Sequence, residues 1–137
     1  MRAAFVLALA AAVAGAVAAV AGAAATPQRG FAFGRFGGNI RPYAVTIAAG
    51  GAVAVSGPVV AAHRLTAAQL AALRHLATTE RFGALPASTQ CSGALPDAAS
   101  TFIRVGARTV RVHGYCLARY NKLWRALTRA VRLTGQT

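Results

Sequence analysis

The chain has 137 residues, 56% of them hydrophobic, with 15 basic and two acidic side chains and a formal net charge of +13. That length holds one domain of ordinary size and excludes several large ones. The two acids, Glu80 and Asp97, leave almost no material for paired-carboxylate hydrolysis, aspartic peptidase chemistry or metal sites that need several carboxylates.

Residues 1–25 read as an address. Met1-Arg2 is a short basic start, and every residue from 3 to 25 is Ala, Val, Leu, Phe or Gly. Small residues at Ala23 and Ala25 stand at −3 and −1 of a signal-peptidase cut after Ala25. An uncleaved anchor is the competing reading, because 23 apolar residues are long enough to span a bilayer. Both readings place the rest of the chain outside the cytoplasm: secreted, or held at the cell envelope.

Residues 26–42 are rich in glycine and carry Phe31, Phe33 and Phe36. The expectation is an N-terminal arm whose aromatics dock on the core, with a ligand-stacking element of Phe and Arg as the sharper reading. The folded domain is expected over residues 43–133, with 134–137 as a tail.

Large apolar residues alternate with small or polar ones over 43–47 and again over 52–56, around Gly50-Gly51. This predicts a β-hairpin with Tyr43, Val45, Ile47, Val53 and Val55 facing inward. Residues 59–61 suit a further short strand. Thr66 and Gln69 form a capping-box signature, and Leu65 with Leu70 can staple the start of a helix that ends near Thr79. Leu70, Leu73 and Ala77 share its buried face. Phe82 and Leu85 follow as core contacts, and 86–100 reads as a loop.

A second hairpin spans 101–105 and 108–113 around Gly106-Ala107, a pair suited to a type II′ turn. Ile103, Val105, Val110 and Val112 fall on one face. Phe102, Arg104, Thr109, Arg111 and His113 fall on the other, wetter face. The final helix covers 118–131, with Tyr120, Leu123, Trp124, Leu127, Ala130 and Val131 on one side. The order β-β-(β)-α-β-β-α gives an α+β fold: a small antiparallel sheet of two hairpins covered by two helices.

Cys91 and Cys116 are the only cysteines. In an exported chain the first expectation is one disulfide. The alternatives are a metal site drawing on His113 and Cys116 with His63, His75 or Cys91, and a nucleophilic cysteine paired with histidine; each lacks the remaining groups it needs. No metal, cofactor or catalytic set is therefore expected. The nucleophile elbow, phosphate loop, zinc-peptidase helix motif and dinucleotide fingerprint are all missing.

One face of the last helix carries Arg119, Lys122, Arg125, Arg129 and Arg132. Five like charges in a row make a solvated face or a contact for a polyanion, such as a phosphate-rich wall polymer or anionic lipid headgroups. Nucleic acid is the least suited target, since export separates the chain from it and no nucleic-acid motif is visible.

The arrangement of Gly37-Gly38-Asn39-Ile40, the Leu65-to-Leu73 helix start, Phe82-Gly83-Ala84-Leu85-Pro86, the 101–113 hairpin and the final amphipathic helix resembles the emfourin-like family over residues 36–133. The named member of that family of small bacterial proteins inhibits thermolysin-type metallopeptidases. The resemblance implies a non-enzymatic binding module, with a peptidase as partner and Gly37, Gly38 and Ile40 as the turn facing it. The alternative is a basic module that docks on anionic envelope polymers through the helix face.

Overall fold

The computed structural model describes residues 29–135. The expected leader with its Ala23/Ala25 cleavage positions, the first three residues of the expected arm and the last two of the expected tail lie outside the described residues. The described chain runs β1 (Phe31–Phe36), β2 (Tyr43–Ile47), β3 (Val53–Ser56), α1 (Ala67–Thr79), a 3₁₀ turn (Phe82–Ala84), β4 (Ser88–Gln90), β5 (Ser100–Val105), β6 (Arg108–His113) and α2 (Ala118–Ala130). This is an α+β fold. The strands form one six-stranded sheet in the order β3-β2-β1-β5-β6-β4. All pairings are antiparallel except β4 with β6.

Within the expected arm, Phe31–Phe36 form a central strand. In β1 the alternation Phe31, Phe33 against Ala32, Gly34 has the period of a strand, and the two rings are 2% and 0% exposed. Phe33 lies opposite Val45 on one side and Ile103 on the other, so it joins the two hairpins into one sheet. Gly34 reads as punctuation in the sequence, but its role is close approach. A Cβ there would stand 2.1 Å from the Tyr43 carbonyl oxygen and 2.8 Å from the Phe102 ring. The sheet therefore takes in β1, and the boundary expected at residue 43 falls inside it.

Three smaller expectations also change. Val55 is exposed and Val53 only half-buried, because β3 is an edge strand at the rim of the core. The expected loop at 86–100 contains β4, which pairs Ser88, Thr89 and Gln90 with Arg111, Val112 and His113. The strand expected at 59–61 reduces to a single bridge from Val60 to Thr134, which ties the first residue of the tail to the fold.

The remaining local signals act as read. The Thr66 hydroxyl accepts from the Gln69 amide at 3.1 Å, and the Gln69 side chain accepts from the Thr66 amide at 2.8 Å. Leu65 and Leu70 are both buried beside this cap. Gly106 takes φ 57°, the sign a II′ turn requires at its first central position. Ile103, Val105, Val110 and Val112 are buried, and Phe33 meets Trp124 of α2 edge-on at 5.5 Å. Tyr120, 1% exposed, donates its hydroxyl proton to Thr101 Oγ1 at 3.0 Å, and Thr101 in turn donates to the Val112 carbonyl at 3.3 Å. Both helices contribute to this core; on the opposite sheet face Phe36, Arg104 and Arg111 are exposed, while Ala32 and Gly34 at its centre are buried.

Candidate functional site

Helix α2 splits cleanly. Tyr120, Leu123 and Leu127 are buried, while Arg119, Lys122, Arg125, Arg129 and Arg132 are all exposed. The structure thus brings the expected stripe onto one surface, but its members differ. Lys122 forms an ion pair with Glu80, the residue that caps α1, and the Glu80 side chain is only 12% exposed. That lysine ties the two helices together and is partly neutralised. Arg119, Arg125, Arg129 and Arg132 have no ion pair or side-chain hydrogen bond among the described residues. The second acid, Asp97, accepts from the Asn39 side chain at 3.4 Å. Both carboxylates are therefore committed, and the guanidinium groups of α2 face water.

At the N-terminal end of the helix the stripe meets a cleft of about 460 Å3 between Tyr115, Trp124 and Arg125, with Cys116 also in its lining. Tyr115 is 76% exposed. Aromatic rings beside an arginine give a surface on which planar or sugar-like groups can stack while an anion is held. Sequence reasoning places Trp124 on the buried side and does not reach Tyr115. The signal was a large aromatic directly before Cys116, where the chain cannot yet be helical.

The turn at Gly37, Gly38 and Ile40 connects β1 to β2. It is held from one side: Asn39 N–H donates to the Asp97 carbonyl at 3.3 Å, and a Cβ on Gly38 would lie 2.4 Å from that same oxygen. Gly37 is open, with nothing within 4 Å of such a Cβ, and Ile40 is half-buried.

Cys91 and Cys116 form a disulfide, with Cα atoms 5.5 Å apart. Neither sulfur is available as a metal ligand or nucleophile. His113 instead bridges two groups: one ring nitrogen is 3.0 Å from the Ser100 hydroxyl and the other 2.9 Å from the Leu95 carbonyl. The second contact requires the proton on Nε2, which leaves Nδ1 to accept from Ser100. A hydroxyl paired with an imidazole has the outline of an activated nucleophile, but here the ring's other partner is a main-chain carbonyl of the loop before β5. The unit pins residues 95–100 to β6. His63 and His75 are exposed and not part of it.

Among the described residues no helix is long and apolar enough to cross a membrane. Comparison with protein families, curated proteins and solved structures finds no match for this chain.

Proposed function

We propose that this chain is a non-enzymatic, extracytoplasmic binding module whose α2 face docks on an anionic polymer of the cell envelope, a phosphate-rich wall polymer in the first instance. One observation carries the reading: Arg119, Arg125 and Arg129 of one helix face, with Arg132 just past the helix end, are exposed and unpaired, and both carboxylates of the protein are engaged elsewhere. A surface that serves only solubility usually intersperses both signs of charge. This one has a single sign, and a repeating phosphate chain can contact several guanidinium groups at once. The Tyr115–Trp124–Arg125 cleft offers a place for the organic part of such a repeat. The disulfide supports a location outside the reducing cytoplasm.

The test is binding to long-chain polyphosphate and to anionic against neutral vesicles, across a salt series. The expected result is affinity for the polyanion that falls steeply with salt. In the Arg125→Ala, Arg129→Ala double variant the slope of log K against log salt drops by about one per arginine. Salt-insensitive binding, or equal binding by the double variant, defeats the reading. The peptidase-inhibitor alternative makes the reverse pattern: thermolysin inhibition lost on Gly37→Arg or Ile40→Ala and unaffected by the two arginine changes.

A further inference from the structure

A second cationic feature lies away from α2. Four arginines distant in sequence surround one cavity of about 580 Å3. Arg29 enters from two residues before β1, Arg74 from α1, Arg81 from just past the end of α1, and Arg108 from the start of β6. The walls between them are apolar: Ala77, Phe82 and Val105 are each buried to below a tenth of their surface and still line the cavity. No carboxylate is among the lining residues.

The guanidinium groups are of two kinds. Arg74 and Arg108 are anchored. Arg74 donates from Nε to the Arg29 carbonyl at 3.2 Å and from Nη2 to the Ala49 carbonyl at 2.8 Å. Arg108 donates from Nη2 to the Leu85 carbonyl. Main-chain acceptors thus fix both cations without neutralising them. Arg29 and Arg81 have no side-chain hydrogen bond or ion pair among the described residues. Two fixed and two adaptable forks around an apolar floor are the ingredients of a small-anion pocket, and the volume lies within the range of small-molecule sites.

Arg81 adds a backbone argument. It sits at φ 50°, ψ 47°, the left-handed conformation that follows a helix and that glycine adopts without strain. Strain of this kind is kept where a side chain is needed. Arg132 has the same backbone at the end of α2, so the strain alone does not mark the site; the convergence of four arginines does.

We infer that this cavity binds a small organic phosphate, a phosphomonoester whose anionic head lies among the four guanidinium groups and whose apolar substituent rests on Phe82, Ala77 and Val105. The multiple positive charge favours the dianionic phosphate over a single carboxylate, and the apolar floor favours a substituted phosphate over the inorganic ion. The site is separate from the α2 face, and each reading can fail without the other.

The experiment is calorimetric titration of the disulfide-bonded protein with phenyl phosphate, inorganic phosphate and benzyl alcohol, for the native chain and for Arg81→Gly, Arg29→Ala and Arg125→Ala with Arg129→Ala. Phenyl phosphate should bind about tenfold or more tightly than inorganic phosphate, because it alone covers the apolar floor. Benzyl alcohol should not bind measurably. Arg81→Gly should weaken phenyl phosphate about tenfold or more while the melting temperature holds or rises, so lost binding cannot be lost folding. Arg29→Ala should weaken it as well, and the α2 double variant should leave it unchanged. Vesicles of phosphatidylcholine carrying phosphatidate then separate a lipid head from a free phosphate: displacement of phenyl phosphate assigns the head to a lipid, and no displacement assigns it to a soluble phosphomonoester. Equal affinity for phenyl and inorganic phosphate overturns the inference, and so does loss in the α2 variant with none in Arg81→Gly.

Discussion

Reduction of the Cys91–Cys116 bridge should lower the melting temperature by about 15 °C. Cys91 follows β4 and Cys116 precedes α2, 25 residues apart, so the bond closes a loop that contains the whole β5–β6 hairpin. In the chain-entropy description a loop of that length removes enough freedom from the unfolded chain to stabilise the fold by about 3.5 kcal/mol. For a domain of roughly a hundred residues the melting temperature moves about 4 °C per kcal/mol. The local structure is fitted to the bond. Cys91 is buried, and a Cβ on Gly114 would come within 2.7 Å of the Cys91 Cβ. The assay is a circular-dichroism melt at neutral pH with and without a phosphine reductant, alongside Cys91→Ala with Cys116→Ala. The reduced native chain keeps the buried Cys91 sulfur in place, so its shift isolates the cross-link, and the double variant should melt a little lower still. A reduced protein that melts within a few degrees of the oxidised one would refute the reasoning. Its unfolded ensemble would then be compact without the bond, and the fold would owe the bridge little.

Three further outcomes follow from particular contacts. Thr101→Val leaves the buried Tyr120 hydroxyl without its acceptor and should cost about 1–3 kcal/mol, whereas Tyr120→Phe should cost about 1 kcal/mol because Thr101 keeps the Val112 carbonyl; urea unfolding of the two singles and the double should show coupling, since the double variant removes both polar partners. The same tyrosine sets an alkaline limit: burial, partly offset by the hydrogen bond with Thr101, holds its phenol well above the usual value, and burial likewise raises Tyr43. The unfolded chain ionises near pH 10 while the folded one stays neutral, so stability is full below that pH and falls as pH rises above it; Tyr120→Phe should flatten part of this loss in melts taken between pH 8 and 11. Gly38→Ala should destabilise by about 1–3 kcal/mol, through φ +60° together with the collision at the Asp97 carbonyl, while Gly37→Ala at φ +69° in open space should cost only about 1 kcal/mol of backbone strain.

Much of this fold is legible in the chain because its signals are local. The Thr66–Gln69 cap, the Gly106 turn and the two faces of α2 each lie within a few residues, and each holds in the structure. What escapes reading is non-local or atypical. β1 is written with glycine where a strand normally avoids it, and the reason, the Tyr43 main chain and the Phe102 ring lying against Gly34, is supplied by segments 9 and 68 positions away. β4 is three polar residues with no alternation to detect; only its hydrogen bonds to β6 define it. The basic face of α2 shows as a helical spacing, but Arg29, Arg74, Arg81 and Arg108 have no common period, and only the packing of α1 against the end of the sheet gathers them. Glu80 is likewise one of two acids in the sequence, and its pairing with Lys122 from 42 residues away appears only in three dimensions.

The scarcity of acid ties the stability of this protein to its proposed role, through the sign of its response to salt. Residues 29–135 hold 14 basic side chains and two acidic ones, and both acids are engaged. Unscreened, the guanidinium groups of α2 and of the α1 cavity repel one another in the folded state more than in the expanded one. Raising salt shortens the Debye length from about 30 Å at 0.01 M to about 3 Å at 1 M and relieves that repulsion. The free protein should therefore melt higher as sodium chloride rises, even though the same salt weakens its grip on a polyanion. With polyphosphate present the order inverts: the complex is most stable at low salt, because a ligand that binds only the folded chain raises its stability with the logarithm of its affinity. Crossing melt curves with and without polyphosphate, plotted against salt, are thus expected from a face that lacks its own counter-charge. A free protein whose melting temperature falls with salt would mean that its positive charges are already balanced within the fold, and neither arginine site would have reason to seek an anion.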